Sequence, residues 1–183
     1  MFIEALPHTI AIFGNSDIQE KSAEIKRTGQ RLGTLIAEHD MHIAFTIPLG
    51  FPLWVAEGMH KAHGTTIMFS HAKSLDDHLH LHRLPLADVD IPIFTGQPKN
   101  INLDIVRAST QAVIFGPAKA DDIDLLVHAL QSGNPVGILE GSWRIPESFT
   151  SYLAENPQYQ KQTIKTNDIN FLMSAILEKM NHT

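Results

Sequence analysis

The sequence has no cysteine, no cluster of basic residues and no long apolar run. Without cysteine the chain has neither disulfide bonds nor a thiolate nucleophile, and this composition favours a reducing, cytoplasmic location. The first residues, MFIEALPHTIAIFG, contain no basic segment followed by an apolar core and a cleavage site, so no signal peptide is predicted. No stretch approaches the roughly 20 apolar residues of a membrane span, so no membrane partner is expected.

Positive charge is also scarce. The chain carries 14 Lys and Arg against 20 Asp and Glu, a formal net charge of −6, and its basic residues are scattered singly or in the short pair Lys26 and Arg27. A surface of this sign repels nucleic acid, which is therefore not an expected partner. A length of 183 residues with 43% hydrophobic residues suits a single domain spanning 1–183.

The stretch from Thr110 to Glu140 organises the chain. It predicts a buried strand at Gln111 to Phe115, a turn at Gly116 and Pro117, an amphipathic helix from Asp121 or Asp122, and a second buried strand from Pro135 to Leu139. Gly133 supplies the left-handed residue that ends the helix. This is one right-handed βαβ unit, and ligands of such units bind where the strand meets the helix.

The rest of the chain alternates in the same way. Strands are predicted at residues 9–13, 41–45, 65–70, 91–95 and 162–165, with helices at 16–38, 54–62, 100–108, 146–154 and from 167 or 168 onward. A polar, histidine-rich segment at 71–86 is predicted to be an excursion or lid. The predicted class is α/β, with a Rossmann-like, doubly wound, mostly parallel sheet flanked by helices.

Residues at predicted strand ends are candidate ligand contacts because of their position. After the first strand these are Gly14, Asn15 and Ser16, and after the fourth strand Thr95 and Gly96. His78, His80 and His82 alternate, so an extended backbone would project all three from one face, a spacing that suits Zn²⁺. A flexible, pH-sensitive loop explains the same histidines. We favour the loop and predict no metal site and no cofactor.

Several segments resemble a known family in order and spacing. They are IAIFGNS, VAEGMHKAHGTTI, DIPIFTGQPKNINLDIVRAS and AVIFGP followed by LLVHALQSGNPVGILEG. Together they are similar to the LOG-like family of the SLOG superfamily, which carries the old label "possible lysine decarboxylase". The resemblance implies a nucleotide-like ligand, a homodimer or higher homo-oligomer, and ligand contacts at Gly50, Lys99, Asn100, Gly116 and Pro117. No lysine suited to pyridoxal phosphate supports decarboxylation.

The chain departs from the family's motifs at three places. Thr46, Ile47 and Pro48 replace glycines of the second turn, and Lys99 replaces an arginine before Asn100. In the family's PGGxGTxxE motif, residues 118–122 replace the glycines and threonine, and Leu125 stands at the glutamate. Asp124 lies one position earlier, and on a helix this shift rotates a side chain by about 100°.

These departures leave three hypotheses open. The favoured one is a divergent SLOG-type protein that binds a nucleotide or nucleotide-derived small ligand without the usual catalysis. The second is a phosphoribohydrolase that cleaves nucleoside 5′-monophosphates to base and ribose 5-phosphate, with Lys99 holding phosphate and Asp124 or Asp122 as the acid. The third is a structural or interaction protein whose crevice is closed by Ile47, Pro48, Leu49 and Phe51.

Overall fold

The computed structural model describes residues 6, 8–15, 23–46 and 49–181. Within these residues short apolar runs form strands and amphipathic stretches form helices, as their periodicities predict. The strands are β1 (Thr9–Phe13), β2 (His42–Phe45), β3 (Thr66–Ser70), β4 (Ile91–Phe94), β5 (Ala112–Phe115), β6 (Val136–Leu139) and β7 (Thr163–Thr166). The helices are α1 (Ala23–Glu38), α2 (Gly50–Lys61), α3 (Lys99–Ala108), α4 (Ile123–Gln131), α5 (Glu147–Glu155) and α6 (Ile169–Met180).

All strands of the described sheet run parallel, in the order β4-β3-β2-β1-β5-β6-β7. Strands β2, β3 and β4 follow one another on one side of β1, and β5, β6 and β7 follow one another on its other side. The strand order therefore reverses between β1 and β5. Ligands of open parallel sheets bind outside the carboxyl ends of the strands at such a switch point. The predicted α/β, Rossmann-like class is confirmed. The topology also predicts a ligand site at the carboxyl ends of β1 and β5.

Two apolar layers cover the sheet. Along β1, Ile10 and Ile12 pack toward α1, α2 and α6, while Ala11 and Phe13 pack toward α3, α4 and α5. Central strands that are covered on both faces have continuously apolar sequences, without the alternation of apolar and polar residues that a half-exposed strand shows. This explains why the central strands are recognisable in the sequence as uninterrupted apolar stretches.

Helices α1 and α2 pack unusually close together. A Cβ atom on Gly33 would lie 2.0 Å from the Val55 carbonyl oxygen, and one on Gly58 would lie 1.9 Å from the Gln30 carbonyl oxygen. Glu57 on α2 adds an ion pair with Lys26 Nζ at 3.1 Å. The glycines set the distance between the helices, and this distance positions the first turn of α2 at the switch point.

One predicted boundary differs from the structure, and another is not tested by it. Helix α2 begins at Gly50 and not at Trp54, because Pro52 lies in its first turn, where a missing N–H is tolerated. The predicted helix start at Ser16 lies outside the described residues.

The histidine-rich segment 71–86 contains a π-helical turn, Asp77–Leu81. His78 of this turn is fully buried against the end of β3, whereas His80 is exposed. The backbone is not extended, so the three alternating histidines do not share one face. None of the helices in the described part of the chain combines the length and apolar character that a membrane span requires.

Candidate functional site

Backbone hydrogen bonds join the segments that leave β1 and β5. Gly116 N–H donates to the Phe13 carbonyl at 2.9 Å, and Asn15 N–H donates to the Pro117 carbonyl at 2.5 Å. The two chain segments therefore continue side by side past the strands. As a result Gly14, Asn15, Gly116 and Pro117, all predicted ligand contacts, lie together at the switch point.

Phe51, from the first turn of α2, occupies the space between the two strand ends. A Cβ atom on Gly116 would lie 2.3 Å from Phe51 Cδ1 and Cε1, and one on Gly14 would lie 3.1 Å from Phe51 Cβ. Phe51 is fully buried, and its ring packs on Trp143 with centroids 6.5 Å apart. Both glycines thus make room for this aromatic side chain.

A cavity of ≈ 70 Å³ remains beside Phe51. This is well below the roughly 300–1,000 Å³ of pockets that enclose a whole drug-sized ligand. Its walls come from β1, from the residues after β1, β2 and β5, from the first turns of α2 and α4, and from the first two turns of α3. They are formed by Ile12, Phe13, Gly14, Asn15, Thr46, Pro52, Lys99, Leu103, Lys119, Asp122 and Leu125.

The polar side of the cavity carries two lysines. Lys99 begins α3 and is exposed, and its ammonium group forms no hydrogen bond or ion pair with any residue that the structure describes. Lys119, in the segment that follows β5, lines the same cavity. Thr46 and Asn15 contribute a hydroxyl and an amide, groups that hydrogen-bond an anion or a neutral ligand. Of the described residues that line the cavity, Asp122 alone carries the opposite charge.

The turn before α4 satisfies its own backbone. Asp122 Oδ2 accepts a hydrogen bond from Lys119 N–H at 2.8 Å, and Asp122 N–H donates to the Lys119 carbonyl at 3.1 Å. These bonds close a short 3₁₀ turn, Ala120–Asp122. In this geometry Asp122 caps the turn, so one backbone N–H that a phosphate would use is already occupied by a carboxylate.

Leu125 and Asp124 take different positions around α4. Leu125 is buried and lines the cavity, at the position where the family resemblance places a glutamate. Asp124, the predicted catalytic residue, is exposed and does not line the cavity. The rotation expected from a one-residue shift on a helix accounts for this placement.

Of the predicted contacts, Gly14, Asn15 and Lys99 line the cavity, Gly116 and Pro117 lie at the switch point without lining it, and the others lie elsewhere or outside the described residues. The Thr95 hydroxyl lies 2.9 Å from the Ser70 carbonyl and 2.6 Å from Asn102 Oδ1, and Gly96 N–H donates to the Ala72 carbonyl. These bonds join the residues that follow β4 to the end of β3, to Ala72 and to α3. Asn100 is exposed on α3, Gly50 begins α2 with φ +60°, and none of these four residues lines the cavity. Ser16 is outside the described residues.

The histidines form two contacts at the end of β3. Ser70 Oγ and His78 Nδ1 share a hydrogen bond of 2.8 Å, and burial is the largest cause of the lowered pKa of His78. His71 Nε2 lies 3.2 Å from His82 Nδ1. Burial, followed by the charges of His82, His78 and Lys99, lowers the pKa of His71. No three metal-binding side chains converge among the residues described.

Thr46, Lys119 and Leu103 were not predicted as site residues. Thr46 directly follows β2, which neighbours β1, so the rule that selected Asn15 applies to it equally. Lys119 had been noted only as a replacement for a motif glycine. Leu103 lies one turn along α3 from Lys99, and only the packing of α3 over the sheet reveals its contact with the cavity.

Comparison with solved structures agrees with this architecture. The molybdenum cofactor binding protein of Rippkaea orientalis is 21% identical, with a TM-score of 0.74 over 96% of this chain and 97% of that one. The molybdenum cofactor carrier protein of Chlamydomonas reinhardtii is 20% identical, with a TM-score of 0.71 over 96% and 99%. DNA processing protein A of Helicobacter pylori is 18% identical, with a TM-score of 0.64 over 94% and 81%. At these identities the likeness shows the fold.

Comparison of sequences identifies the family. A search of the curated proteins finds no match to this chain. The profile of the SLOG cluster4 family, in contrast, matches residues 7–173, most of the chain. This protein therefore belongs to the SLOG cluster4 family, as its resemblance to the SLOG superfamily predicts.

Proposed function

We propose that this protein binds a small phosphate-bearing ligand in the cavity at the ends of β1, β2 and β5. The observation that carries the proposal is the pair of lysines, Lys99 and Lys119, on the walls of a cavity of ≈ 70 Å³. Lysine binds phosphate as a point charge and does not need the close backbone approach that glycines permit. The two lysines thus offer a second way to hold an anion, in place of the glycine-rich turns of the family.

The proposed ligand is a nucleotide or a nucleotide-like cofactor. The cavity has room for its phosphate, while the ring system lies outside, over the strand ends. Two structural neighbours are described as binding or carrying the molybdenum cofactor, which supports a carrier or sensor role over a structural one. The third hypothesis, a crevice closed by Ile47, Pro48, Leu49 and Phe51, stays a prediction, because Ile47 and Pro48 lie outside the described residues. A cavity at the strand ends supports the binding role instead.

The proposed role does not include glycosidic cleavage. Leu125 provides no proton at the position where the resemblance places the acid, and Asp124 is exposed away from the cavity. A phosphoribohydrolase would have to use Asp122, which already accepts the Lys119 N–H. This alternative therefore predicts that Asp122→Asn abolishes cleavage.

Phosphorus NMR separates these functions. Purified protein is mixed with a panel of nucleoside 5′-monophosphates and a pterin phosphate, and spectra are followed over hours. Broadened or shifted ligand signals without product support a binding protein. Ribose 5-phosphate that forms with the wild-type chain and not with Asp122→Asn establishes the enzyme instead, and spectra that stay unchanged across the panel contradict the proposal.

The same proposal excludes nucleic acid as the natural partner. A net charge of −6 opposes binding to a polyanion, although the Helicobacter pylori neighbour is described as binding single-stranded DNA. Adding a single-stranded oligonucleotide to the panel tests this point directly. The cytoplasmic location and the homodimer or higher homo-oligomer stay predictions of the sequence.

A further inference from the structure

A carboxylate lies among the cationic groups of the cavity. Asp122 lines the cavity together with Lys99 and Lys119. Its Oδ2 accepts a hydrogen bond from the backbone N–H of Lys119 at 2.8 Å. Its other oxygen, Oδ1, has neither a hydrogen-bond donor nor an ion-pair partner within the part of the chain that the structure describes. The carboxylate therefore keeps one acceptor that no described protein group uses.

This carboxylate does not suit a site that binds only a phosphate. A carboxylate and an ionised phosphomonoester both offer hydrogen-bond acceptors and no donors, so they cannot bond to each other. Their like charges also repel, and the repulsion is large in a small, partly enclosed cavity. No ion pair joins either lysine of the cavity to Asp122. A donor is therefore needed between Asp122 and the phosphate.

The ligand itself can supply that donor. A sugar hydroxyl donates a hydrogen bond to a carboxylate oxygen, and such a charge-assisted bond is roughly twice as strong as a bond between neutral groups. In Rossmann-type dinucleotide sites a carboxylate accepts hydrogen bonds from the ribose in this way. A hydroxyl near the phosphate would bond to Asp122 Oδ1 and separate the two anions.

We propose that Asp122 selects phosphate esters that carry a hydroxyl group near the phosphate over esters that lack one. The inference rests on the proposed function, in which Lys99 holds the phosphate, and it narrows the ligand to the class of sugar phosphates. Asp122 Oδ1 accepts a hydrogen bond from the ligand hydroxyl, and no proton is transferred. Asp122 therefore determines specificity and is not a catalytic residue.

Two matched esters test the selection. Ribose 5-phosphate is compared with tetrahydrofurfuryl phosphate, which has the same ring without hydroxyl groups. Calorimetry with the intact protein at about pH 8, where the phosphate is fully ionised, gives both affinities. Wild type is expected to bind ribose 5-phosphate at least about tenfold more tightly, because a hydrogen bond to a charged group is gained.

Asp122→Asn removes the charge and keeps the turn. Asparagine ranks with aspartate as a cap, and its oxygen can still accept the Lys119 N–H, while its amide can donate to a phosphate. The variant should therefore bind tetrahydrofurfuryl phosphate more tightly than wild type does. Its preference for ribose 5-phosphate should be at least about threefold smaller. Asp121→Asn, an equal charge change at an exposed residue that does not line the cavity, should leave the preference unchanged.

The outcomes separate this inference from the proposed function. If wild type binds both esters and Asp122→Asn keeps the wild-type preference, the inference is overturned and the proposed function stands. Equal weakening of both esters in Asp122→Asn would also overturn it, because that result assigns Asp122 to the turn alone. If wild type binds neither ester, both proposals fail.

Discussion

At the scale of single residues, Phe51 determines the form of the crevice. Its ring lies where the segments after β1 and β5 diverge, in contact distance of the positions that a Cβ would take on Gly14 and Gly116. Glycines at these strand ends resemble a phosphate-binding motif in the sequence. In the structure the same residues accommodate an aromatic side chain, and the polar groups of the cavity come from other positions.

Gly116→Ala tests the packing role of this glycine. The new methyl group would lie 2.3 Å from two ring atoms of a fully buried Phe51, so we expect a loss of about 1–3 kcal/mol in the free energy of unfolding. Gly14→Ala, with contacts of 3.1 Å, should cost less. Urea unfolding measures both, and equal stability of Gly116→Ala and wild type would contradict the role assigned to Phe51.

Burial of His78 makes stability depend on pH. Burial lowers the pKa of this imidazole below the ordinary value of 6.5, so the unfolded chain binds a proton more readily than the folded one. The contribution of His78 to the free energy of unfolding is therefore complete above pH 6.5. It decreases as the pH falls from 6.5 through the pKa of His78 in the folded state. His71 contributes in the same direction.

Urea unfolding at a series of pH values, combined with imidazole NMR, checks this prediction. The resonance of His78 should titrate below 6.5, and the free energy of unfolding should decrease over the same range. His80→Gln serves as a control because that side chain is 76% exposed and should leave the profile unchanged. Stability that rises on acidification would contradict the account.

At the scale of elements, the contact between α1 and α2 positions the site. Helix α2 delivers Phe51 and Pro52 to the switch point from its first turn. Its distance from α1 is set by backbone atoms that approach Gly33 and Gly58. A change that separates these helices would therefore also displace Phe51 from the ends of β1 and β5.

Gly33→Ala and Gly29→Ala form a matched pair of variants on α1. Each gains roughly 0.8–1 kcal/mol in helix propensity, but only at Gly33 would the methyl group lie 2.0 Å from a backbone oxygen, which cannot rotate away. At Gly29 the nearest atom is 3.0 Å away, in the side chain of Trp54. We expect Gly33→Ala to lower the melting temperature clearly more than Gly29→Ala. Equal melting temperatures would contradict the close contact.

At the scale of the whole molecule, the sequence predicts the fold well because its central strands are covered on both faces. Continuous apolar runs such as residues 112–115 and 136–139 are fully buried strands, and Gly133, with φ +81°, follows α4 as predicted. Boundaries near proline were harder to predict. Pro52 reads as a loop residue in the sequence, yet it belongs to the first turn of a helix.

The site is less predictable because it depends on contacts between residues far apart in the chain. Position at strand ends indicated Gly14 and Asn15, and the family resemblance indicated Gly116 and Pro117; these four residues do lie together. No local pattern shows that Phe51 fills the space between them, or that Lys99 and Lys119 share a cavity. Likewise, the alternation of His78, His80 and His82 is misleading, since a helical turn directs His78 into the core and leaves His80 exposed.

The most direct test of the central claim is the affinity of the protein for AMP, measured by calorimetry, in wild type, Lys99→Ala and Lys61→Ala. Lys61 is an exposed lysine in the last turn of α2, at the opposite end of that helix from the cavity. Loss of one charge-assisted contact of about 1.5–3 kcal/mol predicts roughly 10–150-fold weaker binding for Lys99→Ala. Lys61→Ala should bind like the wild type. Equal affinity of all three proteins, or no binding by the wild type, would contradict an anion site at Lys99.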